Sequence, residues 1–334
     1  MTAENRSETQ IIAALPAAGP AERGTMAGLL TRKPRTFWSD AWRRLQKNKL
    51  AMIGLAALLL MAIIAIAAPW IAPYPYDQTN IDATRQPPSL DHWLGTDALG
   101  RDNLSRVIFG ARISLVVGIV AQLMILAIGL PLGLMAGYLG GKWDTLLMRA
   151  VDILYAFPDL LLIIIVMTYL RQNLAQVKSG PLMPLAGLDA LTGGLLGIFI
   201  AFALTHWLTV SRLVRGQVLS LKHREFVEAA QTLGAGGPRI IRSHLLPNVL
   251  APIIVAATFG IPRAIITEAG LSFIGLGIQP PMPSWGSLIS EGVLSIQSQP
   301  YLVVGPALAL AITLLAFNFV GDGLRDALDP WMNK

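Results

Sequence analysis

Hydrophobic positions in this chain are gathered into long unbroken blocks, and the polar positions fall in the gaps between them. Roughly 20 apolar residues in a helix cross the ~30 Å hydrocarbon core of a bilayer. Six blocks reach that length: Leu50 to Pro73, Ile113 to Tyr138, Thr145 to Leu170, Gly193 to Val214, Asn248 to Gly270 and Tyr301 to Gly321. Before the first of them, Phe37, Trp38, Trp42 and Leu45 sit among cations over 37–49, the pattern of a short interfacial helix along the inner leaflet. Residues 1–36 mix Ala, Pro, Gly and charge without periodicity and read as a disordered cytoplasmic leader. The expected architecture is therefore all-α and integral to the membrane. A first transmembrane helix over 50–73 is followed by an extracytoplasmic loop over 74–112, then a core of five more spans over 113–334.

Composition agrees with this pattern. Hydrophobic residues make up 54% of the chain and charged residues only 14%, against about a quarter in soluble domains. The absence of cysteine excludes disulfides, thiolate metal sites and cysteine nucleophiles together. The first span is preceded by Arg43, Arg44, Lys47 and Lys49, as a signal peptide would be. Its apolar run exceeds the 7–15 residues of a signal core and its lead is too long, so an uncleaved helix is expected.

The net charge of +6 is explained by a topological bias of the loops, without a nucleic-acid partner. Lys and Arg crowd the leader and the connection between spans four and five, which carries Arg212, Arg215, Lys222, Arg224, Arg239 and Arg242. With both on the cytoplasmic side, Lys142, Arg325 and Lys334 fall there too, and both termini are inside. Nothing basic then separates spans five and six on the outer side.

Within the spans, Gly129, Gly133 and Gly137 recur every four residues, a spacing that lets helix backbones approach closely. It fits packing inside the chain or a contact between subunits. Pro131, Pro158 and Pro262 are expected to kink or interrupt their helices. Intramembrane charges cost several kcal/mol unless paired or hydrated. Arg149 and Asp152, three apart, are placed to neutralise each other, whereas Arg263 and Glu268 are five apart and are candidates for a substrate pathway as well as for structural pairing. His206 either packs or lines such a path. In the outer loop over 274–300, Trp285 and the run containing Pro281 offer a rigid apolar contact for an extracytoplasmic protein, or packing over the mouth of the bundle.

The cytoplasmic connection over 215–247 carries the most information. Glu225 to Leu233 has helix formers, acids in its first turn, and Phe226, Ala229, Ala230 and Leu233 along one side. Gly234 ends that helix, and Gly236, Gly237 and Pro238 enforce a turn. A second short helix is expected from Arg239 to Leu246, stopping at Pro247. Such a compact helix, tied by rigid turns to two spans, can dock in a partner's groove and transmit its movement.

At these residues the sequence resembles a known family. Glu228, Ala229 and Ala230, then Gly234, Ile241, Leu246 and Pro247, match the EAA loop of ABC-importer permeases. LGTDALGRDNLSRVIFGARISL from Leu94, SFIGLGIQPPMPSWG from Ser272 and GDGLRDALDP from Gly321 resemble segments of the oligopeptide and dipeptide (OppC/DppC-like) permeases. The resemblance implies a type I ABC-importer bundle with a cytoplasmic coupling helix, in a bacterial inner membrane. It also implies a second permease subunit, two ATP-binding subunits that carry ATP and Mg, and an extracytoplasmic substrate-binding protein.

Independent catalysis has no support in the chain. Gly140-Gly141-Lys142 is followed by Trp143 and lacks the first glycine of a P-loop, so no ATP site is expected here. No nucleophile elbow is present, and the four histidines lack metal-ligand spacing. The rival reading is a self-sufficient secondary transporter or channel, which would call for inverted repeats; no clear repeat relates the halves.

Overall fold

The structure, a computed structural model, describes residues 37–177, 183–192 and 194–329. The leader over 1–36 lies outside the described residues. Helix α1, Phe37–Lys47, is amphipathic, and Phe37, Trp38 and Trp42 are exposed on it. From Arg44 onward the chain builds the bundle.

Helix α2, Lys49–Ile71, starts where the Asn48 side chain accepts the Ala51 N–H at 3.2 Å. A loop follows, and α3 runs over Asn103–Leu139. The Asp102 carboxylate caps α3 by accepting the Ser105 N–H at 2.8 Å, so this helix begins well before Ile113. Helix α4, Gly141–Tyr155, and helix α5, Asp159–Gln176, come next. Short α6, Met183–Leu191, precedes α7, Leu195–Leu221. Helix α8, Glu225–Thr232, leads through a turn into α9, Gly237–Phe273. The last elements are α10, Trp285–Val293, within the loop over 274–300, and α11, Tyr301–Leu328.

Among the described residues, five single helices are long and apolar enough to cross a bilayer: α2, α3, α7, α9 and α11. The expected continuous span from Thr145 to Leu170 is instead broken. Helices α4 and α5 meet at a bend of 90°, and the pair makes a sixth span only if counted as one. The break falls at Phe157 and Pro158, because the ring of a proline disfavours helical geometry in the residue before it. Helices α3 and α9 continue through Pro131 and Pro262, so only one of the three prolines interrupts its helix.

The expected stop at Pro247 is also corrected. A π turn over Ile241–Leu245 carries α9 past it, with the Leu246 N–H bonded to the Ile241 carbonyl. The wider turn relieves the contact of the Pro247 ring with the preceding turn, and the helix runs on without a break.

The glycine spacing on α3 serves packing within the chain. A Cβ at Gly133 would lie 2.6 Å from both the Ser211 carbonyl oxygen and Val214 Cβ, and one at Gly137 would lie 2.7 Å from Val218 Cβ. Gly129 meets Val210 in the same way. Three valines of α7 thus seat against three glycines of α3, and the buried core around Val117, Phe202, Val214 and Val249 grows from this contact. Large apolar side chains of α2, including Ile53, Ile63 and Ile66, point outward, as lipid-facing residues do.

Candidate functional site

The C-terminal end of α7 is fixed to the bundle before α8 begins. Arg215 donates to both oxygens of Asp144, at 2.5 and 2.7 Å, and Lys222 Nζ donates to the Tyr138 carbonyl at 2.7 Å. The lysine meets unpaired carbonyls at the C-terminal end of α3, where a cation is stabilised.

Helix α8 carries Glu225 and Glu228 in its first turn, next to the positive end of its dipole. Its end is a Schellman motif: Gly234 N–H donates to the Gln231 carbonyl at 2.9 Å, and Ala235 N–H to the Ala230 carbonyl at 3.0 Å. Gly234 takes φ +83°, a conformation strained for any residue with a Cβ.

The two apolar faces of α8 differ. Val227 is wholly buried and Ala230 nearly so, anchoring the helix on its own bundle. Phe226, Ala229 and Leu233 lie on the neighbouring face and are exposed, Leu233 to 89%. The sequence placed Ala230 with that second set and missed Val227 as an anchor. Glu225 and Glu228 are exposed beside the stripe. Behind it Ile241 and Leu246 pack against the core, while Pro247 is exposed.

Arg263 and Glu268 are not brought together. Arg263 lines a cavity of about 170 Å³ between α3, α7 and α9, with Gln122 and His206. A second cavity of about 310 Å³ adjoins it and is lined by Tyr155, Asp159 and again His206, Thr209 and Arg263. Glu268 is fully buried elsewhere, its Oε1 accepting hydrogen bonds from Ser272 Oγ at 2.7 Å and Ser284 Oγ at 2.8 Å. Asp152 is taken by Arg212 on α7, at 2.5 Å, instead of by Arg149. Tyr155 lies under that arginine and bonds Thr209 at 2.6 Å.

Trp285 is likewise not available as an outer contact. It is wholly buried, its indole N–H donating to the Val107 carbonyl and its backbone N–H to Ser114 Oγ, each at 3.1 Å. An indole ring buries well where its single N–H finds a carbonyl, and α3 supplies one. Pro281 stays exposed.

The loop before α3 is organised around Asp97. Its carboxylate accepts the Leu99 and Arg101 N–H groups, the Arg101 side chain at 2.7 Å and Arg106 at 2.7 Å. Arg106, almost wholly buried, also reaches Glu291 of α10 at 2.7 Å. Composition gave no sign of this ion cluster; the Asp97, Arg101 and Arg106 spacing was its only trace. Among the described residues no group of three or more His, Asp or Glu side chains could hold a metal ion.

A bundle of apolar helices, a mainly apolar cavity among its spans that Arg263 and His206 reach, and a short amphipathic helix beside them fit a multi-span membrane transport subunit. The chain matches the family described as binding-protein-dependent transport system inner membrane component over residues 129–334, and the N-terminal TM domain of oligopeptide transport permease C over residues 36–88. It belongs to that family of ABC-importer permeases. The oligopeptide transport system permease protein OppC of Bacillus subtilis is 42% identical over 95% of each chain. The dipeptide transport system permease protein DppC of the same organism is 42% identical over 94% of this chain and 92% of its own. Among solved structures, the inward-facing MetNI methionine ABC transporter shares the fold, with a TM-score of 0.52 at 18% identity over 67% of this chain and 96% of that one.

Proposed function

We propose that this chain is one of two permease subunits of an importer for short peptides or related small solutes, driven by ATP hydrolysis on two partner subunits. The observation that carries the reading is the exposed stripe of Phe226, Ala229 and Leu233 on a helix anchored through Val227 and Ala230. An apolar face held out by rigid turns is suited to a cleft on an ATPase. ATP and Mg belong to those partners. ATP binding draws the ATPase pair together and moves α8, and α7 and α9, joined to it by short turns, carry the motion to the membrane path. Substrate comes from an extracytoplasmic binding protein that meets the outer loops. The Lys and Arg distribution supports a bacterial inner-membrane location with both termini in the cytoplasm. The peptide assignment is supported by relatives named for oligopeptide and dipeptide transport.

Mass spectrometry of chains that copurify from gently solubilised membranes tests the assembly. Recovery of a second permease and P-loop ATPases, lost on replacing Glu228 and Gly234, is expected. A preparation of this chain alone that transports in vesicles without ATP would overturn the reading.

A further inference from the structure

The two cavities that share His206, Thr209 and Arg263 hold charged groups where a membrane protein least tolerates them. His206 and Gln122 lie midway along α7 and α3, and Arg263 lies within the apolar stretch of α9. The Arg263 side chain is nevertheless 62% exposed and that of Asp159 47% exposed. A guanidinium facing lipid at that depth is strongly unfavourable, so this face lines water, substrate or protein.

Asp159 stands in the first turn of α5, where the broken span has turned aside. Its Oδ2 lies 3.8 Å from Arg263 Nη2 and 3.5 Å from His206 Nε2. These separations are longer than the ~2.7–2.9 Å of a tight charged hydrogen bond. They contrast with the 2.5 Å pairs that Asp144 and Asp152 make with arginines of α7. Arg263 has five N–H donors and Asp159 two acceptor oxygens, so each retains capacity for a ligand.

Resting on the peptide-importer reading, the geometry points to Asp159 and Arg263 as a binding station for the end groups of a short zwitterionic peptide. Arg263 takes the peptide carboxylate and Asp159 its ammonium, by exchange of partners. Exchange leaves each charge with a partner, whereas a lone anion would take Arg263 from Asp159 and a lone cation would take Asp159 from Arg263. A neutral solute gains nothing from opening the pair. His206 Nε2, on α7, faces Asp159 without a hydrogen bond of its own, and Thr209 and Gln122 add neutral polar groups to the walls.

The test uses the complete importer in proteoliposomes, with alanyl-alanine, its C-terminal amide and its N-acetyl derivative as probes. The binding protein is the same throughout, so its preferences cancel when each variant is compared with the unaltered complex. R263Q is expected to lower ATP-driven uptake of alanyl-alanine at least tenfold relative to the amide. D159N is expected to do so relative to the N-acetyl peptide, and R263K is expected to keep most of the uptake. An equal loss for all three probes, or loss of the second permease on purification, would make the pair structural and overturn the station. Unchanged alanyl-alanine uptake in both variants would overturn it as well. Absence of ATP-driven uptake by the unaltered complex would strike the importer reading itself, and this inference with it.

Discussion

Glu268 and Ser284 are sixteen residues apart in sequence and 2.8 Å apart in space, the serine hydroxyl donating to a carboxyl group that is wholly buried. The contact closes the loop over 274–300 onto the end of α9. Ser284 also accepts the Ser287 N–H at 3.0 Å, so the same hydroxyl starts α10. The block SFIGLGIQPPMPSWG thus encodes a loop folded over one carboxyl group, with Gly286 admitting the chain beside Ala269.

Removing that acceptor should loosen the loop. In E268A, two buried hydroxyls lose their partner, at about 1–3 kcal/mol for a group left unsatisfied. E268Q keeps an acceptor oxygen of the same reach and should stay much closer to the parent. Thermal unfolding of purified protein in detergent compares the two. Equal losses in both would show that hydrogen bonding to the serines is not what holds the loop.

The ion cluster around Asp97 leads to a sharper asymmetry. Arg106 is nearly inaccessible and faces two carboxylates, whereas the Glu291 side chain is 39% exposed. Truncating Arg106 to Ala removes an almost wholly buried side chain and one of the two guanidiniums on Asp97, which keeps Arg101 at 2.7 Å, so the loss is that of a charged hydrogen bond, about 1.5–3 kcal/mol. E291A removes the partner nearer to water and should cost clearly less. Proteolysis of the loop over 74–102 in right-side and inverted vesicles provides the measurement. R106A should be cut much faster than E291A, and the reverse order would refute the burial argument.

The membrane class and the position of α8 were legible because both rest on local pattern: apolar run length, and helix formers stopped by glycine. The sequence alone could not place the 90° bend, since Pro158 resembles Pro131 and Pro262 in composition yet only it lacks a helix that continues through. For Trp285 and Glu268 the sequence left a packing role and a functional role open for a related reason. Each sits in or next to a loop that reads as surface, but each is buried by a partner far along the chain, Val107 for one and Ser284 for the other. Asp152 likewise chose Arg212 on another helix over Arg149 on its own.

The α3–α7 seam can be tested at single glycines. G133V adds a branched side chain where even a Cβ would stand 2.6 Å from backbone and side chain of α7. The helices must separate, and overpacking of this kind costs about 1–3 kcal/mol or more. G216A on α7 is the control, because a Cβ there meets nothing within 4 Å. Size-exclusion profiles and unfolding temperatures should be disturbed for G133V and unchanged for G216A; a well-behaved G133V would mean the seam is not tight.

The two faces of α8 make separable predictions. Replacing Phe226 or Leu233 by Asp alters groups that already contact solvent, so insertion and thermal stability should change by less than about 0.5 kcal/mol, the usual range for surface changes. The same replacement at Val227 buries an unpaired carboxylate against the bundle and should destabilise the fold severely. Should α8 seat in an ATPase cleft through Phe226, Ala229 and Leu233, F226D and L233D will lose the ATPase subunits on copurification while folding normally. G234A lies between these cases. Nothing crowds its Cβ, but φ +83° costs an alanine about 1 kcal/mol, enough to tilt α8 without unfolding the bundle. Retention of the ATPases at full stoichiometry by both F226D and L233D would place the docking surface elsewhere on the cytoplasmic side. Their loss, with Val227 variants failing earlier at the level of folding, would divide α8 into an anchoring face and a docking face.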